Sequence, residues 1–454
     1  MSQQLSIILA LSLSFVANII YATETEMAKD DLVERMGVLY KKFSTDTFSG
    51  TVVDYFSDGQ VSNRAKYENG TLIAIFEKYF QNGQLEFSGG LKGAQRDGLW
   101  AFYYENGQLL RKTIYNNGTS EGLVESYYDN GLLLSKGEYR NGLEHAIWEF
   151  YDKRGNLDYK TAFLEGIKHG AWEQYYDDGQ LFMSGTWNSG KQNGLWSSYH
   201  QNGQLKQNVH WLDGTQSGLE EAYYENGQLN YKVNWIEGKK DGLEEVYYDN
   251  GQLRHKVTYV GGQKNGPEQS YFADGQISLK GNWIKGDKDG LWEEYYLNGQ
   301  LSLRVSWENQ KKNGEEVRYH ASGQLIYKAN WIAGHKQGAE DAFFSNGNAK
   351  LSGNWNNKLK DGPWVEYYEN GRLSLTGLYA ADKKSGHWKD YFENGQLKTN
   401  TIFEDDLKHG LYHAYYANGK LSVKGYFNNG VRSGTWTYGN RDGTFNRTEK
   451  LSSD

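Results

Sequence analysis

Residues Gly290–Asn313 read GLWEEYYLNGQLSLRVSWENQKKN. Two β-favouring runs flank Asn298-Gly299, a dipeptide whose residues both tolerate positive φ, as a two-residue type I′ turn demands. The stretch therefore predicts a β-hairpin. In its second strand Leu301, Leu303, Val305 and Trp307 alternate with Gln300, Ser302, Arg304 and Ser306, a period of two that gives one apolar face.

The same unit recurs outward in both directions. Glycine returns every 24 residues from Gly59 to Gly419, in sixteen copies without an insertion or deletion, and Asn or Asp precedes it in all but Arg154-Gly155 and Ser322-Gly323. A second glycine beat runs from Gly98 to Gly434 and is missing only at Ala146. The apolar alternation repeats in Leu229-Tyr231-Val233-Trp235 and Leu325-Tyr327-Ala329-Trp331. A tandem array follows, each copy leaning on its neighbours. The predicted fold is all-β: an elongated, single-layer antiparallel sheet of about 16 β-hairpin repeats, twisted and curled, with a short N-terminal helix.

Register is tested within the sequence. A two-residue turn sets the residue six before the turn glycine opposite the one five after it, which pairs Glu125 with Lys136, Glu149 with Lys160, Glu221 with Lys232, Glu245 with Lys256 and Glu293 with Arg304. Opposite charges meet, at about 0.2–1 kcal/mol per exposed pair, enough to specify register rather than to hold the fold.

Four segments are expected. Leu5 to Ala22 is an uncharged apolar run ahead of Thr-Glu-Thr-Glu, which predicts a secretory signal over residues 1–22 and a periplasmic or extracellular protein; an uncleaved anchor is the other reading. Residues 23–47 carry Leu32, Met36, Leu39 and Phe43 at helical spacing, which predicts an amphipathic helix covering the first sheet edge. The array occupies 48–443, and 444–454 is expected to be a disordered polar tail.

The 454 residues carry a net charge of −8, so there is no basic excess to neutralise phosphates or anionic lipid, and neither nucleic acid nor strong membrane-surface binding is expected. With no cysteine, thiolate metal sites, Cys nucleophiles and disulfides drop out. Histidines such as His145, His169, His335 and His387 lie in or beside connections; His409 and His413 share a strand start and give only a faint metal pattern. Carboxylates recur in nearly every first strand, which makes them equivalent to one another, whereas a glycosidase needs one distinguished pair. Neither a Gly-x-Ser-x-Gly elbow nor a phosphate-binding loop occurs. No enzyme activity, cofactor or metal is expected.

All fifteen tryptophans fall in two columns of the repeat. Eight stand in the first strand, and Trp187, Trp211, Trp235, Trp283, Trp307, Trp331 and Trp355 end the second. Self-packing is expected for most. Trp and Tyr are also the side chains enriched at binding hot spots, so the second column is the candidate binding surface of an aromatic trough. Lysines in the connections and acidic residues beside the turns predict two edges of opposite sign.

The unit Tyr-Tyr-x-Asn-Gly-Gln-Leu, with its Gly-x-Lys-x-Gly connection, as in Tyr223–Glu244 or, with Phe272, Asp274 and Ile277 as variants, Tyr271–Trp292, resembles the MORN-repeat variant of bacterial proteins, many of which are labelled YwqK-type antitoxin components of toxin–antitoxin systems. The likeness covers roughly residues 50–440. It departs where Glu220, Glu244, Glu268, Glu316 and Glu340 replace the first tryptophan. The resemblance implies a protein-binding β-scaffold without catalytic residues, and its family label implies an antitoxin component. The other reading is a cell-envelope glycan binder of the choline- or glucan-binding kind, whose aromatics stack on sugars or quaternary ammonium groups.

Overall fold

A computed structural model describes residues 25–451; the predicted signal run lies outside them. The chain divides into two compact units, Met1–Gln192 and Asn193–Asp454. Each is an antiparallel ladder of tandem hairpins, and no α-helix occurs among the described residues.

A repeat of the second unit shows how the sequence makes the fold. Strand Leu229–Ile236 pairs back onto Thr215–Tyr223 across Asn226-Gly227 and forward onto Lys239–Lys240 and Gly242–Tyr247. The predicted register holds, with Glu125 opposite Lys136, Glu221 opposite Lys232 and Glu293 opposite Arg304.

The turn itself differs from expectation. At Asn106-Gly107 only the glycine is left-handed (φ 82°); Gly107 N donates to Tyr104 O and Tyr104 N to Gln108 O. This is a three-residue loop, a type I turn closed by a left-handed glycine and a bulge. Asparagine is there for its side chain: Asn106 Oδ1 accepts from Gln108 N at 2.9 Å, and its Nδ2 donates to Asp129 O of the next repeat at 2.9 Å. The two-residue type I′ turns lie at the other end of the strands, as in Asn117-Gly118 and Glu237-Gly238, where both residues have positive φ.

The second glycine beat marks a bulge. Trp235 faces Lys240 and Lys232 faces Glu245, so the four residues 241–244 stand against the two residues 233–234. Gly242 takes φ 101° to allow this, and Ala146, which breaks the beat, still adopts φ 59°. The bulge shortens the path along the strand, and Lys240 and Glu244 join in an ion pair.

The ends also depart from expectation. In place of a helix, residues 26–41 form β1 (Glu26–Ala28), a 3-10 turn (Lys29–Asp31), β2 (Leu32–Arg35) and β3 (Val38–Lys41). The sequence spacing spans a tight turn at Met36-Gly37, so Leu32 and Leu39 are buried with Phe48 and Val52 while Met36 and Phe43 stand fully exposed. β1 does cover an edge, lying parallel to β4 (Gly50–Tyr55). At the other terminus Phe445–Leu451 is a strand paired with Val431–Gly439 rather than a loose tail.

Candidate binding surface on the aromatic face

The first tryptophan column supplies the core. Trp100, Trp148, Trp292, Trp364, Trp388 and Trp436 are buried. Their flat rings rest on Gly89, Gly137, Gly281, Gly353, Gly377 and Gly425 of the preceding strand, where any Cβ would enter the ring. Several indole N–H groups then reach backbone: Trp100 donates to Gly90 O at 2.8 Å and Trp388 to Leu378 O at 3.1 Å.

The candidate column Trp187, Trp211, Trp235, Trp283, Trp307, Trp331 and Trp355 is half-buried throughout. It lies on the same face and meets the first column edge to face, as in Trp283–Trp292 at 5.3 Å and Trp355–Trp364 at 6.1 Å. A lysine ammonium stands over most of these rings: Lys168 over Trp187, Lys264 over Trp283, Lys288 over Trp307, Lys312 over Trp331 and Lys336 over Trp355, at 4.8–5.3 Å. These connection lysines thus turn onto the aromatic face instead of forming a charged rim.

Where the first column changes to glutamate, the carboxylates of Glu220, Glu268, Glu316 and Glu340 are buried and engaged, while Glu244 is half-buried and pairs with Lys240. Glu220 accepts from Gln207, Tyr231 and Trp235, each at 2.6 Å. Glu268 takes Trp283 Nε1 at 2.5 Å and Lys264 at 3.0 Å, with His255 Nε2 at 3.5 Å. Glu340 takes Trp355, Tyr327 and Lys336. Glu316, fully buried, is held by Lys312 at 2.7 Å and Arg318 at 2.6 Å. Burial pushes its carboxyl up, but these two cations outweigh it and hold the pKa below the usual carboxylate range. Burial and Glu244 push the Tyr259 hydroxyl up to about 12; burial also lowers the His255 imidazole. Glu220, Glu268 and Glu340 each accept from the indole fifteen residues on, and Glu244 faces the Tyr259 phenol at that spacing. Glu316, spent on Lys312 and Arg318, leaves the Trp331 indole N–H without a partner among the described residues. Trp307, which finds Trp292 at that place, has an indole N–H without a partner among the described residues.

The sequence carries a signal for this arrangement in the residue eleven places before the column. Seven of the eight first-column tryptophans have glycine eleven residues earlier, Thr161 before Trp172 being the exception, whereas all five glutamates have valine or alanine there. That residue faces the column directly across the tight-turn pairing, as Val305 faces Glu316 and Val257 faces Glu268. A flat ring needs bare backbone beneath it, while a carboxylate leaves room for a branched side chain.

The opposite face is a charge ladder. Lys112, Glu125, Lys136, Glu149, Lys160 and Glu173 stand successively opposite one another in the first unit. Lys136 closes its ion pair with Glu149 of the following strand at 2.7 Å, although Glu125 of its own hairpin is equally opposite. Tyr127, Tyr151 and Tyr175 donate to the glutamates two residues before them. Among the described residues no group of His, Asp or Glu is placed to hold a metal ion.

Sheet, turns and face define a β-hairpin repeat protein with an aromatic face closed by lysine and glutamate. A family described as "MORN repeat variant" matches residues 96–117, 120–141, 168–188, 192–213, 216–237, 240–260, 288–309, 312–333, 360–380, 384–405 and 408–429. The chain belongs to the MORN repeat variant family. No curated protein matches it. Among solved structures it is similar to the crystal structure of TcdB2-TccC3 (12% identity over 86% of this chain and 27% of that one, TM-score 0.14). It is similar also to the Photorhabdus luminescens Tc holotoxin pore (11% identity, 85% and 26%, TM-score 0.14). The chain spans about a quarter of the length of those chains, and at such TM-scores the likeness carries no argument.

Proposed function

We propose that the protein is a non-enzymatic repeat scaffold that works by binding a protein partner, in an exported setting as the apolar run Leu5–Ala22 suggests. The observation that carries the reading is that the carboxylates of the aromatic face, Glu220, Glu268, Glu316 and Glu340, are each consumed by side chains of their own and the preceding repeat. What is left to offer is a periodic surface, the usual output of a repeat array. The family's antitoxin label fits a binding role and adds no partner. A glycan-binding role is less well supported, because lysine already occupies a face of Trp187, Trp283, Trp307, Trp331 and Trp355.

Quantitative affinity purification from the native host, read by mass spectrometry, tests this. A protein recovered in stoichiometric amount is the expected result. Recovery of no protein, or a catalytic activity abolished by one substitution, overturns the reading.

A further inference from the structure

The charge-ladder face of the second unit carries an apolar stripe that the repeat does not require. One row comprises Leu195, Leu219, Leu243, Pro267 and Leu291, exposed in five consecutive repeats. A second, at the strand ends beside the tight turns, comprises Leu212, Ile236, Val260 and Ile284, exposed by 48–59%. The rows are neighbours on one face: Leu219 stands opposite Asn234, and Ile236 is the next same-face residue along that strand. Elsewhere the same columns hold Glu308, Glu315, Ala339, Asn356 and His387, and in the first unit Asn116 and Arg140. Aliphatics recur there at Leu99, Leu123, Ile147, Leu164, Ile332 and Leu411, but only in the repeats from Leu195 to Ile284 do both rows run together through consecutive repeats. The repeat folds with polar residues there, so packing does not account for aliphatics at these nine positions. Contiguous exposed apolar surface of this kind marks a contact site.

Resting on the scaffold reading, we infer that this stripe is the docking site for an amphipathic α-helix of a protein partner, lying across the strands. The stripe is one or two side chains wide and about 40 Å long, at two strands of about 4.8 Å per repeat. That is too narrow for a second sheet, whose packing needs a broad apolar face. Its period of about 10 Å is close to the about 10.5 Å that seven helical residues rise, so apolar residues at heptad spacing meet one aliphatic site per repeat. An extended strand advances three residues over the same distance and presents alternate faces to alternate repeats. A polyproline helix has a near-matching pitch but docks on aromatic grooves, and the stripe has no aromatic residue. Charge agrees with the helix. The row alongside alternates Glu221, Lys232, Glu245 and Lys256, with Lys232 paired to Glu245 at 2.6 Å, so like charges recur once per repeat, as flanking charges recur once per heptad.

The test uses the full chain and a fluorescent 28-residue peptide with leucine at heptad positions a and d and Lys and Glu at e and g, read by anisotropy. L219E/L243E is the informative variant, because Glu315 occupies that column in a folded repeat; unchanged circular dichroism checks its fold. The expected result is saturable binding, weakened at least about tenfold by the variant and absent for a proline-rich peptide with leucine at every third residue. Equal binding by the variant, equal binding by the proline-rich peptide, or a dimer of the chain that the variant abolishes overturns the inference. A native partner recovered equally on both chains overturns it too and leaves the scaffold reading standing, whereas no partner on the unaltered chain sinks that reading separately.

Discussion

At the residue scale the determinant of the core is the pairing of a flat ring with bare backbone. Trp388 lies on Gly377 so closely that a single methyl has no space, and Gly377→Ala is expected to lower stability by about 2–3 kcal/mol, the upper part of the overpacking range, measured by urea denaturation. The reverse exchange is more informative. Glu316→Trp alone should be strongly destabilising, because Val305 stands opposite; adding Val305→Gly should recover most of the loss, and an additive double-mutant cycle would contradict the pairing. Glu316 also sets a pH dependence. Its folded pKa lies below the ordinary 4.5, so its contribution is complete above that value and is lost as pH falls through the lowered one. Glu316→Gln leaves Lys312 and Arg318 without their anion, and about 3 kcal/mol should be lost at pH 7, as when one partner of a buried pair is removed. The difference from the unaltered chain should shrink as pH is taken below 4 in parallel denaturation curves; a gap independent of pH would contradict the ion-pair account.

At the element scale the sequence revealed the hairpins and their register but misassigned the turns. Asn-Gly suits both a type I′ turn and a type I turn with a left-handed glycine; what separates them here is the Asn106 side-chain bond to the next repeat, an inter-repeat interaction invisible within one copy. The genuine type I′ turns escaped notice because their residues vary, including Glu165, Glu237 and Lys285 at left-handed φ. A prediction separates the two ends. Glu237→Asn should stabilise by about 1 kcal/mol, since asparagine tolerates the left-handed region, whereas Asn226→Asp, which keeps the turn acceptor but loses the donor to Asp249 O, should cost about 1 kcal/mol. Thermal melts of the two single variants check both signs. In the N-terminal segment the apolar spacing suits a helix and a hairpin alike. Leu32 and Leu39 are seven apart, which is two helical turns, or one side of a hairpin folded at Met36-Gly37; four-residue strands are too short for periodicity to decide.

At the scale of the molecule, the 24-residue period was legible because it is unbroken, and with it the fold class and the aromatic face. Which face is free to bind was not legible, because burial in a one-layer sheet depends on where lysines turn. Lys264 and Lys288 lie in connections, where the sequence predicts a charged edge, yet Lys264 stands over the Trp283 ring and Lys288 over those of Trp292 and Trp307. A repeat array also predicts how the chain tolerates length changes, since stability is close to a sum of units and nearest-neighbour contacts. Removing residues 240–263 joins Lys239 to Lys264, and every strand keeps its register because the cut spans one whole repeat. The shortened chain should retain its β circular dichroism per residue and melt within a few degrees of the parent, having lost one unit and one interface. Removing residues 240–251 instead deletes a single first strand and its turn, so a second strand follows a second strand. Lys256 would then have no first strand to supply Glu245, and aliphatic residues would meet the charge ladder. Protease-resistant, cooperatively melting protein is expected from the longer deletion and not from the shorter one. The opposite order would mean that the array depends on contacts beyond adjacent repeats.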